Sequence, residues 1–95
     1  MAVKLVGRDR LITGEKQLDK ALAAWARVVE TVVWKHFPDV RGTWRRTDLL
    51  GEYTVFDIRD NRYRLITRVS YKMATVVVEA VLPHARYDRW SRKQL

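Results

Sequence analysis

The sequence predicts one α+β domain, with a short N-terminal strand and a long helix packed on an antiparallel sheet, and a short C-terminal helix. Three observations support this class. Apolar residues recur at helical spacing in the first part of the chain, and period-two alternation of apolar and polar residues follows Gly51. A chain of 95 residues has room for only one core, so we expect residues 1–95 to form a single domain.

The N-terminal part of the chain predicts a strand and then a helix. Residues 2–6 alternate as a short strand does, with Val3 and Leu5 on one face. From Glu15 to about Trp34, apolar residues at steps of three and four form one helical face: Leu18, Leu22, Trp25, Val29 and Val32.

The remainder of the chain predicts a linker, a three-stranded meander and a tail. Residues 37–52 have no clean period, so we expect a short helical turn and then a loop. Three segments rich in Val, Ile, Thr and Tyr predict strands at 53–58, 62–71 and 75–82. Asp60 and Asn61 predict a tight turn, because both residue types tolerate a left-handed backbone. Residues 71–74 predict the second hairpin loop, and the tail from Pro83 predicts a short helix packed on the sheet end.

Alternation along the middle strand of this meander places arginines together on one face of the sheet. One side carries Tyr63, Leu65, Thr67 and Val69, and the other carries Arg62, Arg64, Ile66 and Arg68. On the next strand the apolar set is Val76, Val78, Ala80 and Leu82. Glu79 belongs to the opposite set, so we expect it to lie among the arginines.

The charge balance favours a polyanionic partner. Lys and Arg number 19 against 11 Asp and Glu, which gives a net charge of +8 and a pI near 10.3. Thirteen of these cations are Arg, whose guanidinium binds phosphate oxygens and stacks on bases better than the Lys ammonium does. Nucleic acid or an anionic membrane fits this composition, and a basic domain without such a partner is the alternative.

Composition excludes several classes of site. Without cysteine the chain has no disulfide scaffold and no thiolate metal site, and its two scattered histidines and isolated acids predict no metal and no cofactor. Ser70 and Ser91 lack the glycine-flanked elbow of a nucleophilic triad. No apolar run approaches the ~20 residues of a membrane span, and no signal peptide is evident, so we expect a cytoplasmic protein without a membrane partner.

The C-terminal block carries residues that suit RNA cleavage without a metal. That reaction needs a group to accept the proton of a 2′-hydroxyl, a group to protonate the 5′-oxygen, and cations to hold the phosphate. His84 suits proton transfer near neutrality, and on a short helix Tyr87 and Asp88 would share its face. The alternative is that His84 caps the tail and the Tyr87 ring only packs.

A second candidate lies in the linker. Trp44-Arg45-Arg46 combines an aromatic residue with two cations, as single-stranded nucleic-acid surfaces do. A buried Trp44 beside two solvated arginines is the other interpretation.

Four blocks of the sequence, in this order, carry a further signal: WKHFPDVR at 34–41, VFDI at 55–58, NRYRLI at 61–66 and HARYDR at 84–89. Together they resemble the HigB family of type II toxin-antitoxin toxins. The resemblance extends from about Ala21 to Trp90, and its most specific parts are the Asn-basic-Tyr-Arg-Leu strand and the closing His-x-x-Tyr-Asp-basic motif. It implies a RelE-like fold, a ribosome-dependent endoribonuclease that cuts mRNA in the ribosomal A site, and a HigA-like helix-turn-helix antitoxin.

The resemblance also implies which residues act. The family's motifs point to four catalytic residues: Arg64, His84, Tyr87 and Asp88. Cations expected to contact the nucleic acid are Arg45, Arg46, Arg59, Arg62, Arg68, Lys72 and Arg89. Two positions depart from the family, which usually has a basic residue at Glu79 and a threonine at Pro83. The first change removes a phosphate contact and the second alters how the backbone presents His84, which would weaken activity or alter substrate preference.

Two other functions remain compatible with the sequence. A non-catalytic RNA- or ribosome-binding module would use the same basic sheet face without cleaving RNA, and Glu79 and Pro83 leave this alternative open. A gyrase poison is the other alternative, since toxins of this overall fold act on that target. The His-x-x-Tyr-Asp block argues against it, because poisoning requires no acid-base residue.

Overall fold

A five-stranded mixed sheet with helices on both faces forms the protein in the computed structural model, which describes residues 3–94. The strands are β1 (Lys4–Val6), β2 (Thr47–Leu50), β3 (Tyr53–Ile58), β4 (Tyr63–Ser70) and β5 (Thr75–Pro83). Their order across the sheet is β1-β5-β4-β3-β2; β1 runs parallel to β5 and the other neighbours are antiparallel. The helices are α1 (Lys16–Thr31), α2 (Phe37–Thr43) and α3 (His84–Gln94), and a 3₁₀ turn spans Arg8–Leu11.

The α+β class is confirmed, and so are the meander and the helical turn of the linker, which is α2. The predicted loop after that turn is partly wrong, because it contains β2. This strand is only four residues long and pairs with β3, where Thr47 lies opposite Phe56 and is buried. In so short a segment the alternation of apolar and polar residues is too brief to identify a strand without knowledge of its partner strand. The predicted first strand includes Ala2, which lies outside the described residues.

The helix α1 ends at Thr31, earlier than the predicted boundary at Trp34. Val32 is already extended, with φ −100° and ψ 162°. Trp34 is buried against Phe56 at a ring-centroid distance of 6.1 Å, and its indole N–H donates to the Thr43 hydroxyl at 3.1 Å. Because the β-branched Val32 favours extended backbone and Trp34 gains these tertiary contacts, the helix stops before the apolar pattern does.

The main core lies between α1 and one face of the sheet. The helix contributes Leu18, Leu22, Trp25, Ala26 and Val29, and the strands contribute Phe56, Ile58, Leu65, Val76 and Val78. The rings of Trp25 and Phe56 meet edge to face at 5.2 Å. The face of β4 that was predicted to be apolar is the one that packs here.

A bulge at Glu79 interrupts the alternation of β5. The register between β4 and β5 shifts by one residue at this point, which leaves Glu79 without a partner on β4. Beyond the bulge Val81 packs on the main core, whereas Ala80 and Leu82 lie on the other face. The prediction that Ala80 and Leu82 continue the apolar set is therefore wrong, because simple alternation contains no bulge.

The helix α3 covers the second face of the sheet. The Tyr87 ring lies over Arg64, and the rings of Trp90 and Tyr53 meet edge to face at 5.1 Å. The tail helix therefore lies across the sheet rather than only at its end, and the sheet has helices on both faces. Between residues 3 and 94, no helix is both long and apolar enough to cross a bilayer.

Candidate active site where β4 and α3 begin

Arg64 is held in one orientation by an ion pair and a backbone hydrogen bond. It lies on β4 with only 9% of its surface exposed. Its Nε lies 3.1 Å from Asp57 Oδ1, and its Nη1 donates to the backbone carbonyl of Asn61 at 2.9 Å. Asp57 is the cross-strand neighbour of Arg64 on β3, so the register of the sheet sets this ion pair. The guanidinium is therefore oriented before any ligand binds.

The turn between β3 and β4 supplies the carbonyl that Arg64 uses. Three consecutive residues have a left-handed backbone, namely Arg59 at φ 55°, Asp60 at φ 52° and Asn61 at φ 78°. The predicted turn at Asp60 and Asn61 is confirmed, and both residue types tolerate this conformation. For Arg59 the same conformation costs about 1–2 kcal/mol. The packed surroundings of the turn must offset that strain.

His84 is the first residue of α3 and follows β5 directly. Its backbone N–H donates to the carbonyl of Arg62 at 2.9 Å, which joins the start of α3 to the turn. Its Nε2 lies 3.4 Å from Asp88 Oδ2, and the two side chains remain 51% and 45% exposed. A ligand can therefore reach both groups, and the carboxylate favours one orientation of the imidazole ring.

Tyr87 connects this pair to Arg64. The Arg64 guanidinium carbon lies 5.4 Å from the centre of the Tyr87 ring, within the range of a cation–π interaction. Burial raises the pKa of Tyr87; Arg64 opposes this change, and the carboxylates of Asp48, Asp57 and Asp88 add to it. The phenol is therefore protonated at neutral pH and offers a hydrogen-bond donor rather than a base.

Three of the candidate RNA-binding arginines line a groove of 410 Å³ beside the turn. Arg45, Arg46 and Arg59 share this groove with Trp44 and Asp57. Trp44 donates its indole N–H to the backbone carbonyl of Asp57 at 3.0 Å, and its ring packs on the main core. The indole is therefore used for packing, with two exposed arginines beside it.

The other candidate cations lie away from this groove. Arg62 is exposed in the turn, not on the predicted sheet face, because β4 begins only after it. Arg68 lies on β4 about 13 Å beyond Arg64. Lys72 is in the hairpin at the opposite end of the sheet. Arg89 is five positions after His84 on α3, which places the two side chains about 140° apart around the helix.

Glu79 neutralises Arg68. Its Oε1 accepts a hydrogen bond from Arg68 Nε at 2.8 Å and lies 2.8 Å from Nη2. The hydrogen bond and the charge of Glu79 raise the pKa of Arg68. The predicted proximity of Glu79 to the arginines therefore holds for Arg68 and is wrong for Arg64, which pairs with Asp57.

Asp57 and Asn61 are site residues that the sequence interpretation missed. The signal was present, because a tight turn at Asp60 and Asn61 fixes the hairpin register and places Asp57 opposite Arg64. Asp57 therefore acts as the ion-pair partner of Arg64. Within residues 3–94, no group of three or more acidic or histidine side chains is arranged to hold a metal ion.

Comparison with known proteins gives the family of this fold and site. No curated protein matches the chain. The family model HigB_toxin, described as the RelE-like toxic component of a toxin-antitoxin system, matches residues 18–90. This match includes β2 to β5, the turn and the four residues of the candidate site. A toxic component of such a system implies an antitoxin partner. The chain therefore belongs to the HigB family of RelE-like toxins, as its sequence blocks indicated.

Proposed function

We propose that the protein is a metal-independent, ribosome-dependent endoribonuclease that cleaves translated mRNA and thereby inhibits translation. One observation carries the proposal: Arg64, Tyr87 and the His84–Asp88 pair lie together where β4 and α3 begin. They supply a cation, a neutral hydroxyl and an imidazole, which are the groups that cleavage of RNA without a metal requires.

Arg64 is suited to hold the phosphate at which the RNA is cut. Its Nε and Nη1 are bonded within the protein, and its Nη2 has no hydrogen-bond partner among residues 3–94. Nη2 can therefore donate to a phosphate oxygen without breaking the contacts that orient the guanidinium. Negative charge that builds up on the phosphate is then stabilised by a cation already in place.

The reaction that fits these groups is attack of an RNA 2′-hydroxyl on the adjacent phosphorus. The 2′-hydroxyl loses its proton as the bond from the 2′-oxygen to phosphorus forms, the bond from phosphorus to the 5′-oxygen breaks, and the 5′-oxygen receives a proton. A 2′,3′-cyclic phosphate and a 5′-hydroxyl result. In this scheme His84 accepts the proton of the 2′-hydroxyl and delivers a proton to the leaving 5′-oxygen, Asp88 orients the imidazole, and protonated Tyr87 donates a hydrogen bond to the phosphate or to the leaving oxygen.

The same proposal names the partners. The substrate is mRNA in the ribosomal A site, so the toxin acts in the cytoplasm, and a HigA-like helix-turn-helix protein neutralises it.

Pro83, just before His84, ends β5 opposite Tyr63 and has no backbone N–H that could donate a hydrogen bond. The backbone hydrogen bond that positions His84 is therefore the one from its own N–H to the carbonyl of Arg62.

The test is cleavage of an end-labelled mRNA, either free or bound to purified ribosomes that are translating it. We expect cuts within the reading frame on the ribosome only, with 5′-hydroxyl and 2′,3′-cyclic phosphate ends. Intact mRNA on ribosomes that carry the bound protein would contradict the nuclease assignment.

A non-catalytic RNA- or ribosome-binding module is the second candidate. It is favoured by the two ion pairs that neutralise Arg64 and Arg68 in the free protein. Such a module would remain bound to ribosomes in the same assay and leave the mRNA uncut.

A further inference from the structure

The flank of α3 that points away from His84 carries a row of cations. Arg86, Arg89 and Lys93 are three and four positions apart, so at about 100° per residue they lie within a sector of about 60°. The centre of this row is about 150° around the helix from the His84–Asp88 pair. We call Arg86, Arg89 and Lys93 the α3 ridge.

The α3 ridge is exposed, and its charges are not neutralised within the described part of the chain. All three side chains are exposed, and none of them forms an ion pair within residues 3–94. The ridge borders a cavity of 290 Å³ whose other walls are Leu82 and Trp90. By contrast, Arg64 and Arg68 each have a carboxylate partner.

The helix that carries the ridge is anchored to the sheet. Tyr87 and Trp90 anchor the helix to the sheet through Arg64 and Tyr53. The three cations extend over about 10 Å along the helix axis, at 1.5 Å per residue. A row of cations of this length on an anchored helix can contact successive phosphates of one RNA strand, which is how structured RNA is bound without reading its sequence.

We propose that the α3 ridge binds the phosphate backbone of structured ribosomal RNA, on a surface separate from the cleavage site. The inference rests on the proposed function, because it assigns the anchoring contact of a toxin that works on the ribosome. The helix then has two roles: the side with His84 contacts the mRNA, and the side with the ridge binds ribosomal RNA.

The chemistry of the ridge favours RNA over a protein partner. Protein interfaces derive most of their binding energy from a few residues, most often Trp, Tyr and Arg, that become fully buried in well-packed pockets. The large exposed hydrophobic residues of the described chain all lie outside α3: Val6, Ile12, Val33, Leu49 and Met73. Beside the ridge only Leu82 and Trp90 could serve as such anchors, and both are half-buried within the protein, so an antitoxin bound mainly by ridge contacts would rely on exposed cations.

Ribosome binding of two charge-matched triple variants tests the proposal. One is Arg86→Gln, Arg89→Gln and Lys93→Gln, and the control is Lys16→Gln, Lys20→Gln and Arg27→Gln on α1. Every chain also carries His84→Ala, so that cleavage does not affect the measurement. Both triples remove three exposed positive charges from helix positions, and Gln is a good helix former. Binding to purified ribosomes is measured by co-sedimentation at several salt concentrations.

We expect the ridge triple to bind on the order of 100-fold more weakly at ~0.1 M salt, with a log–log salt slope smaller by about 2–3, while the control changes little. Equal weakening of both triples, or an unchanged ridge triple, would overturn the proposal. If the ridge triple failed to fold, as judged by circular dichroism, Arg89→Gln alone against Arg27→Gln would decide, with about a fivefold loss expected for the first. A protein that binds ribosomes through the ridge but cuts nothing contradicts the proposed function alone.

Discussion

Two exposed histidines, each paired with an aspartate, allow a matched test of the candidate site. His84 begins α3 beside Asp88, whereas His36 precedes α2 and lies 3.0 Å from Asp39. We expect His84→Ala to slow single-turnover cleavage on ribosomes by roughly 10²- to 10⁴-fold, because proton transfer loses its group, with binding nearly intact. His36→Ala should cleave like the parent protein. Equal effects of the two substitutions would mean that His84 has no special role.

The buried ion pair of Asp57 and Arg64 makes a prediction about stability. Their side chains are only 15% and 10% exposed. Asp57→Leu leaves the guanidinium without its counter-charge, which should lower the free energy of unfolding by about 3 kcal/mol. Adding Arg64→Leu should restore part of this loss, because the unpaired buried charge is removed. Urea unfolding of both variants measures the difference, and strictly additive losses would show that the two residues are not coupled.

At the scale of elements, Asp19 joins α1 to the loop before it. Its carboxylate accepts hydrogen bonds from the Thr13 hydroxyl at 2.6 Å, the Thr13 N–H at 2.8 Å and the Gly14 N–H at 3.1 Å. The bond from the Thr13 hydroxyl, followed by the backbone bonds, lowers the pKa of Asp19. A lowered pKa in the folded state means that this stabilisation is present above about pH 3.9 and is lost as the pH falls through the folded-state value.

We therefore expect Asp19→Asn to melt at a lower temperature than the parent protein at pH 7. The difference should shrink as the pH falls through the lowered pKa of Asp19 in the folded parent protein, where this carboxylate becomes protonated. Circular dichroism melting curves at several pH values measure it. A difference that stays constant with pH would show that the charge of Asp19 is not responsible.

The bulge of β5 places Glu79 where it neutralises Arg68, and this contact predicts an effect on RNA binding. Glu79→Arg removes a carboxylate that repels phosphate and frees Arg68 to contact it. We expect tighter ribosome binding and faster cleavage, with the gain shrinking as salt rises. A variant that melts lower and cuts no faster would show that Glu79 is structural and that the RNA does not cross this part of the sheet.

The elements that were predicted correctly are those with a long, regular pattern. The apolar spacing from Leu18 to Val29 identifies α1, and the alternation from Tyr53 onward identifies the meander. The features that were missed depend on contacts between segments. β2 exists because β3 pairs with it, and the end of α1 is set by the packing of Trp34. The local pattern of apolar and polar residues contains no information about such partner segments or about the bulge in β5.

The candidate site shows the same division between local and tertiary information. His84, Tyr87 and Asp88 are close in sequence, so helical spacing is enough to group them. Arg64 meets Tyr87 only because α3 crosses the outer face of the sheet. The resemblance to HigB toxins supplied that association before the structure did.

Across the whole molecule, the candidate catalytic residues and the arginine-lined groove lie at the same end of the sheet. The turn after β3, the groove lined by Arg45, Arg46 and Arg59, and the start of α3 all lie there. Lys72 and the second hairpin lie at the other end. With a net charge of +8, the molecule as a whole is attracted to RNA, and this end is the one that we expect to face the mRNA.

The most direct test of the nuclease assignment is a map of the 5′ ends of cellular mRNA after the protein is induced without its antitoxin. We expect growth arrest together with new 5′ ends inside translated reading frames, in register with codons. The same induction of the His84→Ala variant should produce far fewer of them. Arrested growth with intact mRNA would contradict the account.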